Sequence, residues 1–460
     1  MSPSTRSRSI SIWVIVLSFA VLMAEGFDLA MFGSVLPSLR ADADLGITPE
    51  MAGYLGSAGV FGMLVGAALT AFLADRYGRR VVTIAAVTIF SSGMLLSAFA
   101  GNAEVLLTLR LIVGIGAGAV MPTCAATLLE FAPQHRKALW TAIGFSGVGL
   151  GGVLSGVMSL FLVDDYGWQS MFLIGGLFLI LTPFLLWRFP ESISFLLASG
   201  RTERAMTVAQ RHGLSIEEFT QTDSPNSSDD KEEEKPQKSR LKDVFGEGRA
   251  LGTLLFWIAT SVCLLVNFGV AAWLPDLLNS AGYPLSIALG SMVVLKTGAI
   301  IGTLFGGWLA DAFGQKRVVL CIYMLTAVSL LLLALRPGVA FAYLLIACLG
   351  MGTTGLQTLI NAYVGSYYPA RVRATALGLN LSIGRIGGIL GPTYLGLLVA
   401  GGITFAGKFY ALAIPAIIGA IIIAFVPASR ARATQAAGAL ETEDDAEVAV
   451  DAPRPESLHN

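Results

Sequence analysis

Residues 73–80 read LADRYGRR, and residues 309–317 read LADAFGQKR, with the same order of apolar, acidic, glycine and basic positions. Asp75 and Asp311, the acidic residues of the two copies, are 236 positions apart. Two pairs of prolines recur at nearly the same offset: Pro133 with Pro369 at 236 positions, and Pro37 with Pro275 at 238. Landmarks that recur at one offset indicate an internal duplication.

The sequence around both copies is apolar enough to lie in a lipid bilayer. Of the 460 residues, 55% are hydrophobic and 13% are charged, whereas about 25% are charged in a typical soluble domain. This composition excludes a soluble enzyme. A membrane-spanning helix needs about 20 mostly apolar residues, and twelve segments qualify: 12–39, 50–74, 81–100, 105–130, 138–163, 168–189, 252–278, 286–310, 318–335, 339–366, 372–401 and 405–427.

The predicted fold is an all-α membrane protein with twelve transmembrane helices in two pseudo-symmetric six-helix halves, since no segment has the alternation of a membrane β-barrel. The domain boundaries follow from the charged stretches: an N-terminal tail at 1–11, one half at 12–190, a linker at 191–250, the other half at 251–427 and an acidic tail at 428–460. The linker core, residues 224–240, and the tail are expected to be disordered. An interfacial helix is expected around Ile193–His212.

Lysine and arginine set the predicted orientation, because they concentrate in cytoplasmic loops. One set of loops carries most of them: Arg76, Arg79, Arg80, Arg136, Lys137, Lys316, Arg317, Arg371 and Arg373. The opposite loops contain Arg40, Arg336 and Lys408 together with several acids. Both termini are therefore predicted to be cytoplasmic.

Several function classes have no support in the sequence. The net charge of −1 gives no basic field for nucleic acid. Four cysteines and three histidines are scattered, so neither a metal site nor a disulfide framework is expected. GxxxxGK[ST], HExxH and GxSxG motifs are absent from the sequence, which argues against an ATP-driven pump and a membrane enzyme. A membrane sensor would lack a soluble output domain. A carrier without a cofactor remains.

Five ionisable residues fall well inside the predicted spans: Glu25, Asp28, Arg110, Lys296 and Arg385. A charge at this depth is costly, so each needs a partner or a function. Glu25 and Asp28 share one helix face, and two carboxylates in a low dielectric do not both ionise readily. They are candidates for proton coupling, and the alternative is a structural ion pair with a neighbouring arginine.

Arg385 lies about 20 Å into the eleventh span by helical rise, and its guanidinium can bind a carboxylate through two hydrogen bonds. It is a candidate counter-ion for an anionic cargo; the alternative is a permanent salt bridge to Asp28 or Glu25. Lys296 is a weaker candidate for cargo or proton binding. A small organic cargo would also need apolar walls and a few polar groups, and the candidates are Phe27, Phe268, Trp273, Asn267, Gln357 and Asn380.

The loop from Asp75 to Arg80 resembles the signature loop of the major facilitator superfamily, and Asp311 begins its second copy. Ala71 departs from the usual glycine, which Gly307 retains. This resemblance implies a carrier whose site lies between two halves that rock. It also implies that Asp75 and Asp311 latch helix ends on the cytoplasmic side when the carrier faces out. We assign gating to six residues on this side: Asp75, Arg79, Arg80, Glu130, Asp311 and Arg373.

Within that superfamily, the chain resembles the aromatic acid:proton symporters. Several segments support this: Glu25-Gly26-Phe27-Asp28, which is similar to their Asp-Gly-x-Asp, Gly118–Pro122, Glu130–Pro133, Phe189–Ser192, Trp273–Pro275, Gly384–Gly387 and Gly391-Pro392. The resemblance implies import of benzoate or hydroxybenzoates with protons across the bacterial cytoplasmic membrane by a monomer. Arg110 lies in a fourth-helix motif of proton-coupled members, which implies a role in proton access; a helix-packing donor is the alternative. Other functions left open are a symporter for another organic acid and a proton-coupled drug exporter.

Overall fold

The computed structural model describes residues 3–132, 137–212, 214, 241–246 and 248–427, and within them it contains helices and no strand. Twelve of these helices are long and apolar enough to cross a membrane. The predicted all-α, twelve-helix architecture is therefore confirmed. The linker core and the acidic tail fall outside the described residues, apart from short stretches at the ends of the linker.

The first half contains six membrane helices: α1 Pro3–Ala41, α2 Pro49–Tyr77, α3 Arg79–Ser97, α4 Ala103–Phe131, α5 Lys137–Tyr166, and α6, which runs through Gln169–Leu177, a 3₁₀ turn at Phe178–Ile180 and Leu181–Arg188. Helix α1 begins within the predicted N-terminal tail, where a proline suits the first helical turn. Two short helices, Ile193–Ala198 and Thr202–His212, follow α6 at the place of the predicted interfacial helix.

The second half repeats this order after a short helix at Leu241–Phe245. Its six membrane helices are α7 Ala250–Ser280, α8 Leu285–Phe313, α9 Gln315–Leu333, α10, which runs through Val339–Gly350, a π-helical turn at Met351–Gly355 and Leu356–Tyr367, then α11 Ala370–Ala400 and α12 Phe405–Phe425. Thr353 in the π-helical turn has φ −100° and ψ −105°, outside the helical region. A π-turn of this kind often lies beside a functional site.

The two copies of the quoted loop form the same tight turn. Gly78, between α2 and α3, has φ +93°, and Gly314, between α8 and α9, has φ +88°. Residues with a Cβ rarely adopt this backbone conformation, so glycine is required where one helix ends and the next begins. The repeat in the sequence is thus a repeat of helix–turn–helix geometry.

The two halves meet along three helix pairs: α1 with α7, α2 with α11, and α5 with α8. We call the end of the bundle that carries Pro3 and Phe425 the terminal end, and the opposite end, with Ala41 and Pro49, the distal end. Close backbone contacts join the halves toward the distal end, where a Cβ on Gly33 would lie 1.9 Å from the carbonyl oxygen of Ala271. Small residues allow such an approach between membrane helices.

Polar contacts also close the distal end. Arg40 of α1 and Asp276 of α7 form an ion pair of 2.6 Å. The hydroxyl of Ser57 on α2 donates to the carbonyl of Ile389 on α11 at 2.5 Å. The structure is therefore closed between the halves at the distal end.

Candidate functional site

Asp28 and Arg110 form a buried ion pair in the first half. Arg110 Nη1 lies 2.5 Å from Asp28 Oδ1, and both side chains are about 5% exposed. The guanidinium also lies over the ring of Phe32, 5.0 Å from its centroid, and passes against Gly59. Charge-assisted pairs of this geometry are strong when desolvated. Asp28 thus forms an ion pair with a neighbouring arginine in this structure, and its role in proton coupling stays a prediction.

Glu25 lies one turn before Asp28 and has a different environment. The residue is 1% exposed, and neither carboxylate oxygen has a hydrogen-bond partner among the described residues. Arg385 and Asp28 are the charged groups whose fields act on it. A buried carboxyl group without donors is stable only when it is neutral or when a cation approaches it. Glu25 is thus suited to exchange a proton for a nearby positive charge.

Arg385 supplies that positive charge from the other half. It is half-buried on α11, and its Nη1 donates to the carbonyl of Met63 on α2 at 3.5 Å. Within the described part of the chain, no carboxylate lies within salt-bridge distance of Arg385. Neither Asp28 nor Glu25 forms the permanent salt bridge that was the alternative. The guanidinium is therefore available to an anion.

A cavity lies between α1, α2, α4, α7 and α11, on the distal side of Arg385. The cavity is narrow in this conformation, since the space that a water-sized sphere can reach is about 30 Å³. The lining combines the Asp28–Arg110 pair with apolar side chains: Leu29, Phe32, Val60, Met63, Phe268, Ala271, Ala272 and Pro392. The rings of Phe32 and Phe268 offer a flat ring two apolar walls once the halves move apart and widen this space.

Two of the predicted aromatic residues lie elsewhere. Phe27 is fully buried and packs edge-on against Phe178, with ring centroids 5.7 Å apart. Trp273 is fully buried near the distal end, where its indole N–H donates to the carbonyl of Pro392 at 2.9 Å. Both rings support helix packing in this conformation, whereas Phe268 lines the cavity.

The predicted polar residues are spread over the second half. Asn380 accepts a hydrogen bond from Thr260 at 3.0 Å, and its amide nitrogen has no partner among the described residues. Asn267 is buried on α7, and Gln357 is half-buried just after the π-helical turn of α10. Lys296 lies on α8, where its stem packs against Gly152 of α5.

The predicted gating residues divide into a bonded group and an exposed group. Arg79 pairs with Glu130 at 2.9 Å, and Glu130 also accepts from the hydroxyl of Ser192 at 2.8 Å. The side chain of Arg80 donates to the carbonyl of Leu186. Asp75, Asp311 and Arg373 are exposed at the terminal end.

The bonded group holds the segment after α6 against the first half. Glu130 accepts from the backbone N–H of Ser194 at 2.9 Å, at the start of the helix Ile193–Ala198. The next helix ends at His212, whose ring packs edge-on against Phe131 at 4.7 Å. Burial lowers the pKa of His212 to about 4, so this histidine is neutral at physiological pH.

Sequence reasoning missed Phe32, Met63 and Glu191. Phe32 is four residues after Asp28, so the helical period could have placed it on the same face. Glu191 accepts from the backbone N–H of Arg80 at 3.1 Å, beside the turn at Gly78. Met63 contributes a backbone carbonyl, which no side-chain pattern indicates.

Comparison with known proteins identifies relatives along most of the chain. The family model described as Major Facilitator Superfamily matches residues 18–297 and 289–452. A benzoate transport protein of Acinetobacter baylyi is 34% identical over 418 residues, which cover 89% of this chain and 88% of that protein. A gallate transporter of Pseudomonas putida is 35% identical, over 92% and 93% of the two chains. A 4-hydroxybenzoate transporter of Pseudomonas aeruginosa is 33% identical, over 88% and 89%.

Solved structures share the fold at lower identity. A partially occluded, inward-open structure of the Escherichia coli xylose transporter XylE superposes with a TM-score of 0.71 at 17% identity, over 91% of this chain and 98% of that one. A bacterial homologue of the lysosomal transporter Spinster gives 0.71 at 16% identity, over 93% and 97%. At these identities the likeness concerns the fold.

Proposed function

Because the chain belongs to the major facilitator superfamily, we propose that it imports an aromatic monocarboxylate of the benzoate or hydroxybenzoate class together with a proton. The protein is a multi-pass membrane transporter and not an enzyme. The relatives named above support aromatic acids as its cargo. We place it in the bacterial cytoplasmic membrane, as a monomer with both termini in the cytoplasm.

The relation of Glu25 to Arg385 carries the proposal. Among the described residues, Glu25 is a buried carboxyl group without a hydrogen-bond donor, and Arg385 is a guanidinium without a carboxylate within salt-bridge distance. The two residues belong to opposite halves. The positive charge of Arg385 acts on Glu25. Protonation of Glu25 removes the negative charge that attracts the guanidinium of Arg385, so a cargo carboxylate then binds Arg385. Proton and anion therefore enter together.

The Asp28–Arg110 pair gives the cavity a fixed polar wall. The two charges of the pair cancel, so the pair does not compete with Arg385 for the cargo carboxylate. Arg110 closes the cavity on the distal side of Glu25 and controls proton access from there. The ring of the cargo packs between Phe32 and Phe268, as aromatic ligands do in apolar slots. Asn267, Gln357 and Asn380 contact the cargo as the halves rock, and Phe27 and Trp273 support the helices that carry the site.

Alternating access follows from where the halves touch. With the termini in the cytoplasm, the closed distal end faces outward and the site opens inward. Asp75, Asp311 and Arg373 are exposed in this state, as expected of latch residues that engage when the carrier faces out. The Arg79–Glu130 pair keeps the terminal end of the first half rigid during rocking.

Uptake of labelled benzoate by proteoliposomes, with and without an inward proton gradient, tests the proposal. Accumulation that requires the gradient and is blocked by hydroxybenzoates but not by an aliphatic acid is the expected result. Competition from aliphatic acids alone would assign the carrier to another organic acid. Proton-driven efflux of cationic compounds would assign it to drug export. Either result would overturn the proposal.

A further inference from the structure

Lys296 occupies a groove between the halves that is built for a long side chain. On α5, three glycines at helical spacing face α8 and receive one side chain each: Gly149 faces Ile300, Gly152 faces Lys296 and Gly156 faces Val293. A Cβ on Gly152 would lie 3.2 Å from Lys296 Cδ and 3.4 Å from Cγ. The groove therefore holds the stem of the lysine at a fixed place across the interface.

The ammonium group of Lys296 has no counter-ion in the described part of the chain. No carboxylate of the described residues lies within salt-bridge distance of it, and the side chain is half-buried. The other deep charges are different, because Asp28 pairs with Arg110 and Arg385 acts on Glu25. An uncompensated cation near the middle of a membrane helix is costly. Such a cation is tolerated where an anionic or polar ligand binds to it.

The duplication places Lys296 and Arg385 on two sides of the same interface. The pair α5–α8 and the pair α2–α11 are equivalent by the repeat and flank the central pair α1–α7. Lys296 reaches from α8 to α5, and Arg385 reaches from α11 to α2. When Glu25 is protonated, Lys296 and Arg385 are the two cations of this interface without a carboxylate within salt-bridge distance among the described residues, and the cargo brings one carboxylate. One positive charge is then left over, which favours a cargo that carries a second electronegative group.

We propose that Lys296 donates a hydrogen bond to a ring hydroxyl oxygen of the cargo and makes the carrier selective for hydroxylated aromatic acids over unsubstituted benzoate. This inference rests on the proposed function, with the cargo carboxylate at Arg385. The selectivity arises because the ammonium group gains a hydrogen bond from a hydroxylated acid, whereas benzoate offers it no acceptor. Hydroxylated acids satisfy it.

Competition against labelled-benzoate counterflow measures this selectivity in proteoliposomes. The inhibition constants of benzoate and of 2-, 3- and 4-hydroxybenzoate are determined for the wild type and for Lys296→Met, which keeps the length of the stem. We expect the wild type to prefer one hydroxybenzoate. In Lys296→Met that preference falls by about ten-fold to a hundred-fold, the range of a hydrogen bond to a charged donor, while the constant for benzoate changes little. Arg201→Met, an exposed arginine between the two short helices, is the control.

Gly152→Ala separates ligand binding from folding. The added methyl group displaces the lysine stem without removing the charge, so the preference falls in this variant too. In the Lys296→Met background, Gly152→Ala has no further effect on the preference if both act through the ammonium group. Equal losses for benzoate and hydroxybenzoates in Lys296→Met, or a wild type without any hydroxybenzoate preference, would overturn the inference. A wild type that exchanges no aromatic acid would instead overturn the proposed function.

Discussion

Arg40 of α1 and Asp276 of α7 are joined by a 2.6 Å ion pair and lie two positions from exact correspondence in the repeat, since they are 236 residues apart and Pro37 and Pro275 are 238 apart. Residues at corresponding positions of two repeats meet only close to the axis that relates the repeats, as in a two-fold interface. The pair thus lies close to the pseudo-symmetry axis at the distal end. Asp276 is 6% exposed, so its charge is partly desolvated, and rocking of the halves must break this contact.

Neutralising this pair is expected to favour opening at the distal end. In Asp276→Asn, Arg40 loses its partner, and a cysteine introduced at Val60 in the cavity becomes more reactive toward an impermeant thiol reagent added from the distal side. Exchanging the charges in the double variant Arg40→Asp with Asp276→Arg restores the ion pair. We expect this variant to protect the cysteine at Val60 again, with a coupling free energy between the two substitutions of about 0.5–3 kcal/mol. Reactivity unchanged in Asp276→Asn would show that other contacts hold the distal end closed.

Truncating Arg110 is expected to destabilise the protein as well as to abolish transport. Arg110→Ala leaves Asp28 buried without a partner, which costs about 3–5 kcal/mol. Thermal unfolding in detergent, beside counterflow, measures both effects. Asp28→Asn combined with Arg110→Gln removes both charges, and we expect it to recover stability but not transport. Equal stability of Arg110→Ala and the wild type would contradict the buried pair.

A larger residue at Gly33 is expected to prevent closure at the distal end, because its Cβ would meet the carbonyl of Ala271 at 1.9 Å. Gly33→Val therefore shifts the carrier to the conformation that is open at that end and raises the reactivity of the cysteine at Val60. Gly307→Ala is the control, since no atom of the described residues lies within 4 Å of the added methyl group. If the two variants label alike, the α1–α7 contact is not what closes this end.

A pH-dependent contribution to stability is expected from Asp42, in the loop after α1. The indole N–H of Trp168 donates to its carboxylate at 2.9 Å and lowers the pKa of Asp42. A carboxyl group with a lowered pKa in the folded state stabilises it above the unfolded value of about 3.9, and this stabilisation is lost as the pH falls. Trp168→Phe should have a lower unfolding temperature than the wild type at pH 7, and the difference between the two unfolding temperatures should shrink toward pH 3. A constant difference would assign the loss to packing.

The fold was predictable because its signals are local. Segment length and apolar composition predict the helices, and the repeated loop predicts equivalent turns at Gly78 and Gly314, each of which has a positive φ. The burial of Glu25 and Asp28 on one helix also follows from their positions in the sequence.

The partners of the charged residues were not predictable in the same way. Whether Asp28 meets Arg110 or Arg385 depends on how α1, α4 and α11 are rotated about their axes, and a single sequence does not specify this rotation. The same applies to the aromatic residues: Phe27 and Phe268 have similar sequence surroundings, yet one packs against Phe178 and the other lines the cavity.

Transport by Glu25→Gln tests the coupling proposal most directly. The substitution keeps the size of the side chain but removes its titration. We expect Glu25→Gln to exchange labelled for unlabelled aromatic acid across the membrane of proteoliposomes. An inward proton gradient should no longer drive accumulation of the acid in this variant. Gradient-driven accumulation at the wild-type level in Glu25→Gln would contradict the role of Glu25 as the residue that couples the proton to the anion at Arg385.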